Sequence, residues 1–318
     1  MINIYNTNIE TNQLEEINKI QKGCWVNLVS PSDEEIINVC SELKISTDYV
    51  KDSLDYEEKA RIDTEEDDGT VLFVIDVPVI EKEGDSYTYS TMPLGVIIVR
   101  DDYIVTVSLR KSIVIEKFIK SKVKNFVTYM KSRFLFQIML ENSSAYLTYL
   151  KRINKETEIA ESTLKHSMKN RELLKMLSLE KSLVYFTTSI KSNEVVMEKT
   201  LRGKFIKLYE DDEDILEDAI IENKQAIEMG KIYSDILNGT MDAYASIISN
   251  NLNGVMKFLT SITIILAIPT MIASYWGMNV QVPMQYVESK WPFFIVVAAS
   301  IILGIIAMIW LKKRDMLD

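Results

Sequence analysis

The chain has 318 residues, with 36 Lys and Arg against 46 Asp and Glu, a formal net charge of −10 and 47% hydrophobic content. Such acidity argues against a nucleic-acid partner, whose phosphates need a basic surface, and makes cations the natural one. The only histidine is His166 and the only cysteines are Cys24 and Cys40, without metal-ligand spacing, so neither triad chemistry nor a histidine-based zinc site is supported.

In chain order, the opening MINIYNTNIETNQ is polar and lacks an apolar core behind basic residues. No signal peptide is therefore expected, and the first domain is placed in the cytoplasm, with Cys24 and Cys40 as buried, reduced thiols. CWVNLV (24–29) reads as a short strand, and PSDEEIINVCSEL opens a helix with Ser30 or Ser32 as cap and acids in its first turn. TVLFVIDVPVI (70–80), MPLGVIIVR (92–100) and DYIVTVSL (102–109) are rich in β-branched residues, which predicts three strands. Residues 1–110 are thus expected to form a cytoplasmic α/β domain.

No glycine occurs between Gly95 and Gly203, and no proline between Pro93 and Pro269. Apolar residues recur at helical spacing, as in Leu135, Ile138, Met139, Leu147 and Leu150, which predicts long cytoplasmic helices over 111–209. From 210 to 257 a stalk helix is expected to continue into the membrane without interruption, roughly 60 residues and about 90 Å in all. Its start, EDDEDILEDAIIE (210–222), holds eight acids.

Residues 258–276 contain no charge and give a helix of about 28 Å, close to the hydrocarbon thickness of a bilayer. Residues 293–311 repeat this, after a loop over 277–292 and before a basic tail, 312–318. Trp276, Trp291 and Trp310 flank the two spans as an aromatic belt would. Residues 251–318 carry five bases and three acids, net +2, which leaves −12 on the first 250 residues. Lys257 precedes the first span and Lys312, Lys313 and Arg314 follow the second, so both termini are expected in the cytoplasm and the loop outside.

Within the first span, Asn253, Met256, Thr260, Thr263, Ala267, Thr270 and Ser274 recur every three or four residues. That spacing keeps one mostly polar stripe turned to a common axis. Helix packing through small residues is the bland explanation; a water-filled path lined by several chains accounts better for a stripe of this length. Pro269 leaves the Ile265 carbonyl without its helical donor, which is tolerated where backbone lines a cavity.

Together, NGVMKFLTSITIILAIPTMIA, the motif GMN (Gly277, Met278, Asn279) and the basic end LKKRDML, after an α/β-then-helices order, resemble the CorA family of divalent-cation transporters over essentially the whole chain. The resemblance implies an α+β membrane protein, a funnel-shaped homopentamer in the plasma-membrane bilayer that passes Mg2+ inward and often admits Co2+ and Ni2+. It implies no organic cofactor and no enzymatic activity. It further implies a selectivity filter at Gly277, Met278 and Asn279, whose neutral amide oxygens would hold the water shell of an ion that dehydrates reluctantly. Glycine there is expected to permit the turn at the helix end. A gate at Met256 and Leu259 would exclude water. Polar rings are implied at Asn253 and Thr270, with Thr263 on the same stripe. Regulatory Mg2+ would bind Asp218, counted back from Asn253, opposite Glu81 or Asp85.

Two departures stand out: Trp276 replaces the usual tyrosine before GMN, and VQVPMQYVESK leaves Glu288 as the only acid of the loop. The zinc-transporting branch of the superfamily shares GMN and is the nearest alternative. A two-span membrane sensor or scaffold would not need the polar stripe.

Overall fold

A computed structural model describes residues 1–65, 69–83, 86–166, 170–203, 205–207, 209–278 and 291–316. The chain divides into two compact units, Met1–Thr240 and Met241–Asp318.

The first unit is built on a seven-stranded sheet. In chain order its strands are β1 (Ile2–Thr7), β2 (Leu14–Ile17), β3 (Trp25–Val29), β4 (Arg61–Glu65), β5 (Thr70–Glu83), β6 (Ser86–Val99) and β7 (Tyr103–Ser108). They lie in the order β2-β1-β3-β7-β6-β5-β4. Among the described residues only the central β3–β7 pair is parallel; its register runs from Trp25↔Ile104 to Val29↔Ser108. The three strands expected over 70–109 are β5, β6 and β7, but β5 and β6 form one long hairpin of 14 residues each. Strands β1, β2 and β4 and the first half of β6 go beyond the sequence expectation, since their segments are polar on the exposed side.

One face of the sheet is covered by α1 (Asp33–Leu43) and α2 (Thr47–Asp52). Ser32 caps α1 in a reciprocal box with Glu35, choosing between the two serines the sequence offered. Ser30 instead takes a left-handed backbone before the helix, with φ of 43°. Leu28, Leu72, Val74, Ile97 and Val105 of the sheet meet Val39 and Leu43 of α1, with Cys24 and Cys40 in the same cluster. Both cysteines are free and buried, and burial pushes both thiols up. Gly95 of β6 sits against the end of α2, where an added Cβ would lie 1.9 Å from the Ser53 hydroxyl. Only glycine allows that approach.

The opposite face carries α3 (Ile113–Ile119), α4 (Lys131–His166) and α5 (Asn170–Arg202). Trp25 is fully buried there, edge-on to Phe126 and Phe134, and its Nε1 donates to Thr106 at 2.8 Å. The side chain of His166 lies outside the described residues.

Strand β4 pairs with β5 only as far as Arg61↔Val74. Two residues on, the Asn193 amide of α5 takes the place of a neighbouring strand. Its Oδ1 accepts from the Asp76 N–H at 2.8 Å and its Nδ2 donates to the Asp76 carbonyl at 2.7 Å. Asn142 Nδ2 at 2.9 Å and the Tyr146 hydroxyl at 3.1 Å, both from α4, donate to the same carbonyl. The open edge of the hairpin is thereby tied to both long helices.

The last two helices are α6 (Glu210–Trp276, 67 residues, with Pro269 inside it) and α7 (Trp291–Lys313). The boundary between the two units falls within α6.

Candidate ion-conduction site

Helix α6 begins with the acidic run, and the fold sorts seven of its eight carboxylates, the side chain of Glu210 lying outside the described residues. Asp212 is buried at 3% exposure and receives Arg133 Nε at 2.7 Å. Glu222 accepts the Ser144 hydroxyl. Asp211, Glu213, Asp214, Glu217 and Asp218 are left exposed on the outer face.

In the second unit the apolar windows of α6 and α7 are only 6% and 11% buried within the chain. A core helix of a soluble domain would be mostly covered, so these helices need lipid or neighbouring chains as their surroundings. Met256 and Leu259 are 54% and 57% exposed, and Asn253, Thr263 and Thr270 are exposed with them. Exposure is not confined to the stripe, because every residue from 251 to 260 is open in the single chain.

Two of the hydroxyls on the stripe have a defined orientation. Thr263 Oγ1 donates to the Leu259 carbonyl and Thr270 Oγ1 to the Leu266 carbonyl, each at 2.8 Å. With its proton used in this way, each hydroxyl turns lone pairs outward and acts as an acceptor. Water bound to a cation points its hydrogens away from the ion, so acceptors are the groups such a shell can use.

Helix α6 ends with the Gly277 N–H donating to the Ala273 carbonyl at 3.0 Å. Gly277 does not take a positive φ, which corrects the expected turn-forming reason for a glycine here. An added Cβ would come 3.3 Å from the Ala273 carbonyl, a tight contact that a shift of a few tenths of an ångström would relieve. Met278 follows, 46% exposed. Asn279 and the rest of the loop to residue 290, including Glu288, lie outside the described residues, as does Asp85.

The CorA-like Mg2+ transporter family model matches residues 21–313. The chain belongs to the CorA family. The cobalt/magnesium transport protein CorA of Methanocaldococcus jannaschii is 27% identical over 296 residues, 92% of this chain and 90% of its own length. The complete structure of the CorA magnesium transporter from the same organism matches with a TM-score of 0.81 at 25% identity, over 97% of this chain and 96% of that one. The ZntB cytoplasmic domain from Vibrio parahaemolyticus shares the fold at 11% identity, with a TM-score of 0.58 over 79% of this chain and 97% of that one.

For a CorA chain the acids of the first unit are the next question. Glu81 is 41% exposed and held by the Arg110 guanidinium, so a cation at Glu81 must displace or share that partner. Asp218 lies on the exposed face of α6. Among the described residues, no group of three or more His, Cys, Asp or Glu side chains is gathered to hold a metal ion within one chain. Arg110 and Arg133 were not anticipated from the sequence, where neither belongs to a motif.

Proposed function

We propose that this protein is a Mg2+ and Co2+ transporter of the CorA type. Several copies, five on the family reading, would surround a pore lined by the α6 stripe, with both termini in the cytoplasm. The observation that carries the reading is α6 itself. A single helix bears an exposed acidic face at its start and an exposed stripe of acceptor groups in an apolar span. In the pore, Asn253, Thr263 and Thr270 would accept from the water shell of the ion, and Met256 and Leu259 would form a dry constriction. Gly277, Met278 and Asn279 would form the external filter.

The topology gains support from the second unit, where the Ser261 hydroxyl of α6 donates to the Met316 carbonyl at 3.0 Å. That contact sets the basic end of α7 beside α6, one turn beyond Lys257, so all four bases belong to one side of the membrane.

The test is uptake of Mg2+, Co2+, Ni2+ and Zn2+ into liposomes holding the purified protein, with and without a pH gradient. Mg2+ and Co2+ entry down their gradients is expected, independent of the pH gradient. Zn2+ entry alone, coupled to protons, would move the protein to the zinc branch, and no entry of any metal would leave the sensor or scaffold reading.

Feedback is the second part of the proposal. Five exposed acids within residues 211–218 of α6 repel one another when copies gather round an axis, and divalent cations relieve that repulsion. Internal Mg2+ would bridge Asp218 to an acid of the adjacent copy, with Glu81 or Asp85 as its partner. Millimolar Mg2+ should then protect α6 from trypsin in the wild type and much less in Asp218→Lys. Equal protection in the two proteins removes Asp218 from the sensor.

A further inference from the structure

Three hydroxyl side chains of the apolar helices share one habit. Thr263, Thr270 and Ser300 each donate to the carbonyl four residues earlier, at 2.8 Å. Ser261 departs from it. Its hydroxyl donates to the Met316 carbonyl, 55 residues away in sequence. Ser261 is fully buried, although its neighbours from 251 to 260 are all exposed, and Leu311 of α7 is fully buried as well.

The acceptor sits in a defined turn. The Met316 N–H donates to the Leu311 carbonyl and the Asp315 N–H to the Lys312 carbonyl, at 3.1 and 3.2 Å, with Asp315 left-handed at φ 52°. This is a Schellman motif with aspartate where glycine is usual. The Arg314 guanidinium lies 5.5 Å from the centre of the Trp310 ring, a further restraint on the same turn. The Met316 carbonyl meets α6 in a half-buried position, where an acceptor needs a donor. Ser261 supplies that donor.

Ser261 stands two residues past Leu259, on the side of α6 away from the stripe, roughly 140° round the helix at 100° per residue. A restraint placed there fixes how far α6 can rotate, and rotation is what would carry Met256 and Leu259 away from a common axis. We propose that the Ser261–Met316 hydrogen bond is a latch between the C-terminal turn and the gate-bearing turn of α6. Ser261 is then a positioning residue for conduction. The latch makes the Lys312–Arg314 cluster a handle on the gate. It rests on the channel reading for its consequence, but the contact itself does not.

Full-length protein tests it in two assays. In detergent, trypsin cleavage at the Lys312–Arg314 cluster should be about threefold faster in Ser261→Ala, the factor that an interhelical side-chain hydrogen bond in a membrane is worth on average, and unchanged in Ser261→Thr. In liposomes loaded with inhibitory Mg2+, Ser261→Ala should leak faster by a similar factor and Ser261→Thr should restore tight closure. A chain ending at Arg314 lacks the acceptor, so it should leak like Ser261→Ala, and combining the two changes should add nothing. Wild-type cleavage and leak in Ser261→Ala, or independent addition in the double variant, overturns the latch. Altered cleavage in a protein whose wild type carries no metal upholds the latch and overturns the channel reading instead. Should Ser261→Ala fail to assemble, the truncated chain alone decides, by leaking or by closing as the wild type does.

Discussion

Asn279→Ala abolishes Mg2+ uptake into liposomes while the purified assembly keeps its size on a gel-filtration column. The rate should fall at least about hundredfold, because hydrogen bonds to charged groups are worth roughly 1.5–3 kcal/mol each and a ring of amides supplies several. The proposed filter grips water molecules that Mg2+ has polarised, and alanine offers them no side-chain acceptor. A carboxylate would bind more strongly but release more slowly, and conduction needs weak binding. Assembly is expected to survive, because the surface that needs covering is the apolar flank of α6 and α7, not position 279. Transport at the normal rate in Asn279→Ala would reduce GMN to a structural turn, and the filter would have to be sought on the stripe.

What could be read from the sequence divides along a physical line. Strands β5, β6 and β7 were legible because their centres are buried on both faces and read as continuous β-branched runs. Strands β2 and β4 were not: Glu15 and Glu16 of β2 and Arg61 and Asp63 of β4 are edge residues, and edge strands are rich in charge for good reason, while β1 lies inside the sheet but is short and mostly polar. The two apolar C-terminal helices were legible because each carries a long run without a single charge. The burial of Asp212 by Arg133 was hidden, because eight acids in thirteen residues look alike until a partner from α4 reaches one of them. Ser261 was hidden for the same reason. In LTSITIIL it is one hydroxyl among several, and only the approach of Met316 sets it apart. Stripe position follows from helical period; partner choice is a long-range fact that no local pattern encodes.

Asp76→Asn stabilises the first unit at neutral pH, and the gain disappears as the solution is acidified. Asp76 is held at the hairpin edge by its backbone, and its carboxyl is mostly buried there. Burial pushes that carboxyl up from 3.8 to about 6, with a hydrogen bond from Ser189 as the opposing influence. The neighbours facing it are neutral at that pH. From α4 comes Tyr146, whose own hydroxyl is pushed well up by burial and by the Asp76 charge. From α5 come Ser189 and Asn193, and from β6 comes Thr91, whose hydroxyl lies 3.1 Å from that of Ser189. The charged groups nearby are engaged elsewhere, Arg152 and Glu156 of α4 with Tyr87 and Tyr89 of β6, and Arg61 of β4 with Asp52 and Glu58. A carboxyl whose folded pKa is raised contributes stability that is fully present below the unfolded value and is lost as pH rises through the folded one. The loss therefore falls between pH 3.8 and about 6. Over that interval it amounts to about 3 kcal/mol, at 1.36 kcal/mol per unit. Asparagine keeps the acceptor for Ser189 and removes the charge, so thermal unfolding of the variant at pH 7.5 should come several degrees later than in the wild type, on the order of 5 °C or more. At pH 4 the two midpoints should converge, since the wild-type carboxyl is then neutral as well. A variant no more stable than the wild type at pH 7.5, or a difference that does not change with pH, would mean that water or a cation already neutralises Asp76 in solution.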